Sequence, residues 1–236
     1  MAKNMNKNKK KEAKSSSAFM FWMIGLVAVF ILAFIFFGNH SKQQDKTTTT
    51  KIDYSNQPYI GKESAPVSII EFGDYKCPNC KNFTKDVVPL IQQELVDTGK
   101  AKFYFMNDSF INVDSTRSAK FAESVFAELG NETFWKFHDL LYEKQPEDPK
   151  YEKMDYFTEE FLVNTLKEVA SDSDVDKVLK NFQAKKSDNA WNKDMDYAEK
   201  LAVTGTPTIF VNGQKFEGQT IDDLKDMVEK AAAKGE

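Results

Sequence analysis

The chain has 236 residues, a formal charge of −4 and 20 Phe, 8 Tyr and 3 Trp, enough length and apolar bulk for one well-buried domain with an insertion. Its two cysteines exclude a structural disulfide framework, which needs several spaced pairs. Its acidic body excludes the basic face that nucleic-acid binding requires.

Residues 1–17 form a basic tail. Lys3, Lys7, Lys9, Lys10, Lys11 and Lys14 against Glu12 give a balance of +5 before residue 41, which leaves −9 on the remainder. Residues 18–37 (AFMFWMIGLVAVFILAFIFF) carry no charge. A helix of that length spans roughly 30 Å, the thickness of a bilayer core. The Lys cluster ahead of it predicts a single-pass anchor at the cell membrane, with a cytoplasmic N-terminus and the rest of the chain extracytoplasmic. The alternative is a cleaved signal peptide, whose apolar core would span only about 7–15 residues. Here the run is longer and ends in bulky Phe34, Ile35, Phe36 and Phe37, which favours the anchor. Residues 38–51 are polar with a Thr run and read as a flexible linker.

Residues 67–72 (VSIIEF) have strand composition. Residues 78–96 place Phe83, Val87, Leu90, Ile91 and Leu95 at helical spacing, with a kink expected at Pro89. Residues 101–106 (AKFYFM) form a second strand. From residue 115 the period is helical, through Phe121, Ala122, Val125, Phe126 and Leu129, then Phe134, Phe137, Leu140 and Leu141 after a break at Gly130-Asn131. A linker holding Pro146 and Pro149 precedes a helix opened by Thr158 and running to about residue 170. Residues 174–201 give one long helix or two. Residues 208–211 and 214–217 flank Asn212-Gly213, a type I′ hairpin signal, and a closing helix covers 221–233. The expected architecture is α/β, with one domain from 52–114 and 201–236 and an all-helical insertion over 115–200.

The chemistry concentrates at Cys77-Pro78-Asn79-Cys80, where a strand runs into a helix. The free N–H groups and dipole at a helix N-terminus favour negative charge, lowering a thiol's pKa and exposing its reactive thiolate. Pro78 suits the first helical turn, where its missing N–H is not needed. Cys77 is expected to be the exposed attacking sulfur and Cys80 the shielded resolving one. Half a zinc site is the alternative for Cys-x-x-Cys, but a structural zinc needs four ligands and only His40 and His138 remain.

Three stretches resemble the thioredoxin fold with a helical insertion, the DsbA-like thiol–disulfide oxidoreductases, and especially the BdbD group of membrane-anchored disulfide oxidases of Gram-positive bacteria. They are EFGDYKCPNC (71–80), FWKFHDLLYEKQ (134–145) and VTGTPTIFVNG (203–213), and the resemblance covers about residues 58–232. It implies that Pro207 is a cis-proline beside the sulfurs. It implies that Thr206 presents backbone groups to an extended substrate by strand addition. It also implies that Glu71 is a buried acid moving protons to or from Cys80, although strand alternation alone, with Ile70 and Phe72 on the other face, points Glu71 to solvent. The Gram-negative DsbA proteins carry His where this chain has Asn79. Lys76 and Lys81 are placed to compensate, and Asp74 to oppose.

The resemblance implies a cycle in which the Cys77–Cys80 disulfide passes to reduced secreted proteins and is restored by a DsbB-like, quinone-linked membrane partner. No cofactor beyond that disulfide is expected, and the sequence leaves metal binding open. No EF-hand spacing is present, and Asp172, Asp174 and Asp176 read as a solvated helix start. A reductase on the same fold and a non-enzymatic chaperone are the rival readings. His138 reads as a hydrogen-bonded helix residue, and Trp135 and Trp191 as packing groups. Asn82, Asn107 and Asn131 fit a glycosylation pattern short enough to arise by chance.

Overall fold

The computed structural model describes residues 51–234. The basic tail, the anchor at 18–37 and nearly all of the linker lie outside the described residues. Among the described residues no helix is long and apolar enough to cross a membrane.

The elements run β1 (Tyr59–Ile60), β2 (Val67–Gly73), α1 (Pro78–Asp86), α2 (Val88–Ile91), a π-helical turn (Gln92–Val96) and β3 (Ala101–Asn107). Then come α3 (Val113–Glu143), a 3-10 turn (Pro149–Lys153), α4 (Glu159–Leu166), α5 (Asp172–Gln183) and α6 (Asp188–Lys200). The chain closes with β4 (Thr208–Val211), β5 (Gln214–Lys215) and α7 (Ile221–Lys234). The sheet order is β1-β3-β2-β4-β5. Only β2 and β3 are parallel, and the helical crossover from α1 through the π-turn supplies the long connection that a parallel pair needs.

All seven residues of β2 are buried, because the sheet is covered on both faces. Val67 and Ile69 pack with Ile91 and Leu95 on one side and with Leu224 and Val228 of α7. Ile70 and Phe72 face the other way, against Ile52, Phe210 and Ala198 of α6. Alternation therefore misleads at Glu71: the face opposite Ile70 and Phe72 is a second interior, not solvent. Gly73 ends this strand where nothing larger fits. A Cβ there would sit 2.5 Å from Phe105 Cε2 and 3.1 Å from the Tyr142 hydroxyl. Gly73→Ala is expected to destabilise by about 1–3 kcal/mol, as overpacking does, and urea unfolding would measure it.

Local chemistry adjusts several expected boundaries. Pro89 has no N–H to donate, so the helix expected over 78–96 breaks at Val87, restarts as α2 and finishes in the π-turn. Asn112 caps α3 in a capping box with Ser115, which starts that helix at Val113. Ser171 caps α5 and starts it at Asp172. The 174–201 stretch divides into α5 and α6. Gly130 interrupts α3 at φ 75°. The next residue, Asn131, then accepts a hydrogen bond from Tyr59 N at 2.8 Å and donates to Tyr59 O, clamping β1.

The helices of the insertion share a core with the sulfurs. Phe121, Phe134, Phe137, Leu162 and Val178 pack in one cluster with Tyr75, Cys77, Cys80 and Phe105. A buried polar staple ties α3 and α6 to the end of β3. Asn107 donates to Glu123 at 2.7 Å and to Asp194 at 3.0 Å, and Gln57 donates to Asp194 at 2.7 Å.

Candidate active site

Cys77 is the extended N-cap of α1 and Pro78 is its first residue. Cys77 is 6% exposed and Cys80, one turn on, is fully buried. Both are free thiols. The Cys77 thiol donates to the Thr206 carbonyl at 3.2 Å, across the cis Thr206–Pro207 bond. The loop thus brings Cys77, Cys80, Thr206 and Pro207 together.

The two thiols are driven apart in acidity. A hydrogen bond from Cys80 pulls the Cys77 pKa from 9.0 to about 6, helped by Thr206 and the backbone N–H groups of Cys80 and Asn79. The Thr206 hydroxyl has no hydrogen-bond partner while Cys77 is a thiol, and it lies close enough to favour the thiolate. Burial pushes Cys80 well above its ordinary value, and the charges of Glu71 and Cys77 add to that. Glu71 is fully buried, and burial also raises it well above a normal carboxyl. Neither Glu71 oxygen has a hydrogen-bond partner.

Asn79 acts here through its backbone, since its side chain is exposed. The two lysines do not serve the thiolate as expected. Lys76 is fully buried and its ammonium is spent on Asp114 at 2.9 Å, Tyr151 O at 2.6 Å and Met154 O at 2.7 Å. Lys81 donates to Gln145 O at 2.8 Å and pairs with Glu147. Asp74 is structural: its carboxylate accepts from the backbone N–H groups of Lys76, Phe110 and Ile111. His138 is buried against Tyr75 OH at 3.1 Å, and burial lowers its pKa to about 3, so it stays neutral.

Sequence reasoning missed a supporting residue, Gln145. Gln145 donates to Tyr75 O at 2.6 Å and Cys77 O at 3.3 Å, fixing the loop that carries the sulfur. It lies in the 134–145 stretch, which was the only signal for it. Lys76 was read as a charge beside the thiolate, and nothing in the sequence pointed to its buried pairing with Asp114. Among the described residues, no group of three or more His, Cys, Asp or Glu is placed to hold a metal ion.

The depressed Cys77 pKa has a direct test. Iodoacetamide modification of the reduced protein is expected to reach half its maximal rate near pH 6. Because the folded pKa is depressed, the stabilisation of the reduced form is complete above pH 9.0 and is lost as pH falls through about 6. A half-rate near pH 9 would contradict this.

A five-stranded sheet with a dithiol at the N-terminus of the crossover helix, one sulfur acidic and one shielded, defines a thiol–disulfide oxidoreductase of the thioredoxin class. The family model described as Thioredoxin matches residues 53–230, and the chain belongs to that family, in its DsbA-like form. It is 36% identical over 181 residues to the probable disulfide bond formation protein D of Bacillus anthracis, covering 77% of this chain and 81% of that one. It is 33% identical over 193 residues to disulfide bond formation protein D of Bacillus subtilis strain 168, covering 81% and 84%. The crystal structure of oxidised BdbD from Bacillus subtilis superposes with a TM-score of 0.70 at 33% identity, covering 78% of this chain and 96% of that one.

Proposed function

We propose that this oxidoreductase donates its Cys77–Cys80 disulfide to reduced secreted or surface proteins outside the cell membrane. The observation that carries this direction is the acidity gap between the sulfurs. A Cys77 thiolate stabilised to a pKa of about 6 is a good leaving group, and stabilising the reduced form makes the pair oxidising. A client thiolate attacks Cys77, forming a mixed disulfide and releasing Cys80. The client's second thiolate then attacks the client sulfur, leaving a disulfide in the client and a dithiol here. In the oxidised state Cys77 has no S–H to occupy the Thr206 carbonyl, which leaves that acceptor for the client backbone beside Pro207. Glu71 receives and returns the Cys80 proton.

The uncharged run at 18–37 supports a single-pass anchor, and the Lys-rich tail supports a cytoplasmic N-terminus. The 52–114, 201–236 and 115–200 division serves as a thioredoxin-like domain with a helical insertion. A DsbB-like quinone-linked membrane protein fits as the reoxidising partner, and the disulfide itself serves as the only redox group.

The test is the reduction potential of the pair, equilibrated against glutathione and read by thiol trapping. A value of roughly −120 to −180 mV supports a disulfide donor. A value near about −270 mV, the thioredoxin end, would make the protein a reductase.

A further inference from the structure

The turn that carries the reactive sulfur is gripped at three successive carbonyls. Asp74 to Cys77 form a tight turn, closed by Cys77 N–H donating to Asp74 O at 2.9 Å. Its two central residues, Tyr75 and Lys76, are buried, so their carbonyls need partners inside the protein. Gln145 Nε2 donates to Tyr75 O at 2.6 Å and to Cys77 O at 3.3 Å. The Tyr151 hydroxyl donates to the carbonyl between them, that of Lys76. Both donors come from the segment that follows α3, 68 to 75 residues further along the chain.

The grip on Lys76 bears directly on Cys77. A peptide group is planar, so Lys76 O and Cys77 N–H turn together. Tyr151 holds one end of that plane and Asp74 O the other. The plane leads into Cys77 and sets its φ, here −78°, and with it the direction of Cβ and Sγ. Rotating the plane would swing Sγ off the N–H groups of Asn79 and Cys80 that favour its thiolate. Tyr151 is locked in turn by the residue it holds. The Lys76 ammonium donates to Tyr151 O at 2.6 Å and lies 4.6 Å from the centre of its ring. Residues 76 and 151 thus hold each other side chain to backbone in both directions, and Tyr151 packs in the cluster that contains both cysteines.

We propose that Tyr151 and Gln145 are positioning residues for disulfide exchange: they brace the turn so that Cys77 Sγ stays on the N–H groups that open α1. Their hydrogen bonds go to backbone carbonyls rather than to a sulfur, so they act through the turn. Without the brace the turn samples orientations in which the thiolate loses those donors. Cys77 then becomes a poorer leaving group and the pair less oxidising.

The inference rests on Cys77 being the acidic, client-facing sulfur, and wild-type protein measured alongside separates the two. The ultraviolet absorbance of the thiolate is followed against pH in the reduced full-length protein, and the equilibrium with glutathione is measured at pH 7. Tyr151→Phe keeps the ring and removes the hydroxyl, and Gln145→Met keeps the length and removes the amide. Each is expected to raise the Cys77 pKa by about one unit. A rise from about 6 to about 7 lowers the equilibrium constant for reducing the pair about fivefold at pH 7. Val178→Ala opens the same core without touching the turn's hydrogen bonds, and it is expected to lower the urea midpoint with the pKa unmoved. Wild-type acidity in both brace variants would overturn the brace and leave Cys77 as the acidic sulfur. An equal shift in Val178→Ala would show a general loosening and overturn it as well. A wild-type pKa near 9.0 would remove the acidic sulfur and the brace together. Should Tyr151→Phe fail to fold, Gln145→Met decides the outcome by the same readings.

Discussion

Cys77→Ser is expected to reduce disulfide transfer to the uncatalysed level, whereas Cys80→Ser should accumulate covalent complexes with client proteins. The asymmetry follows from position. Cys77 caps α1, is 6% exposed and has its thiolate favoured, while Cys80 is fully buried with its thiolate disfavoured. Only Cys77 can meet a client, so a serine there leaves no electrophilic sulfur to attack. With Cys80 changed, Cys77 still forms the mixed disulfide but the internal sulfur that would release it is gone. Refolding of a reduced, unfolded secreted protein measures the first result, and non-reducing electrophoresis measures the second. Mixed disulfides from the Cys77 variant instead would reverse the assigned roles.

Lys76→Met is expected to cost about 3–5 kcal/mol of stability, the usual price of breaking a buried ion pair from one side. Lys76 and Asp114 have fully buried side chains and meet at 2.9 Å. The same ammonium also satisfies the carbonyls of Tyr151 and Met154, so methionine would leave a carboxylate and two carbonyls short of a donor. Asp114 would keep only the backbone N–H groups of Tyr156 and Phe157. Urea unfolding measures the loss, and adding Asp114→Asn should recover part of it by removing the stranded charge. A single variant within about 0.5 kcal/mol of wild type, the range of ordinary surface changes, would refute this account.

What the sequence showed of this site depended on how local its physics is. The cysteine pair was legible because two residues, a proline and a helix start are all contained in four positions. Glu71 was misread by alternation because the rule assumes one wet face, and a central strand in a sheet covered on both sides has none. Lys76 was read only as a charge near the thiolate, and its buried role could not be seen. Its partners are 38, 75 and 78 residues away, and two of them are backbone carbonyls that no residue type announces. The run of strands and helices along the chain followed from the periodicity, but β1 is too short to show a period.

The shortness of β1 has a further consequence for a protein that handles unfolded clients. Among the described residues, the sheet ends at both sides in strands of two residues, Tyr59–Ile60 and Gln214–Lys215. A long bare edge would template further strands from the extended chains that the protein meets, seeding co-aggregation. Asn131 occupies the backbone of Tyr59 from the side, and Lys215 places a charge on the opposite margin. A client chain therefore finds little backbone to pair with away from the sulfurs, and it can depart once its own disulfide has closed.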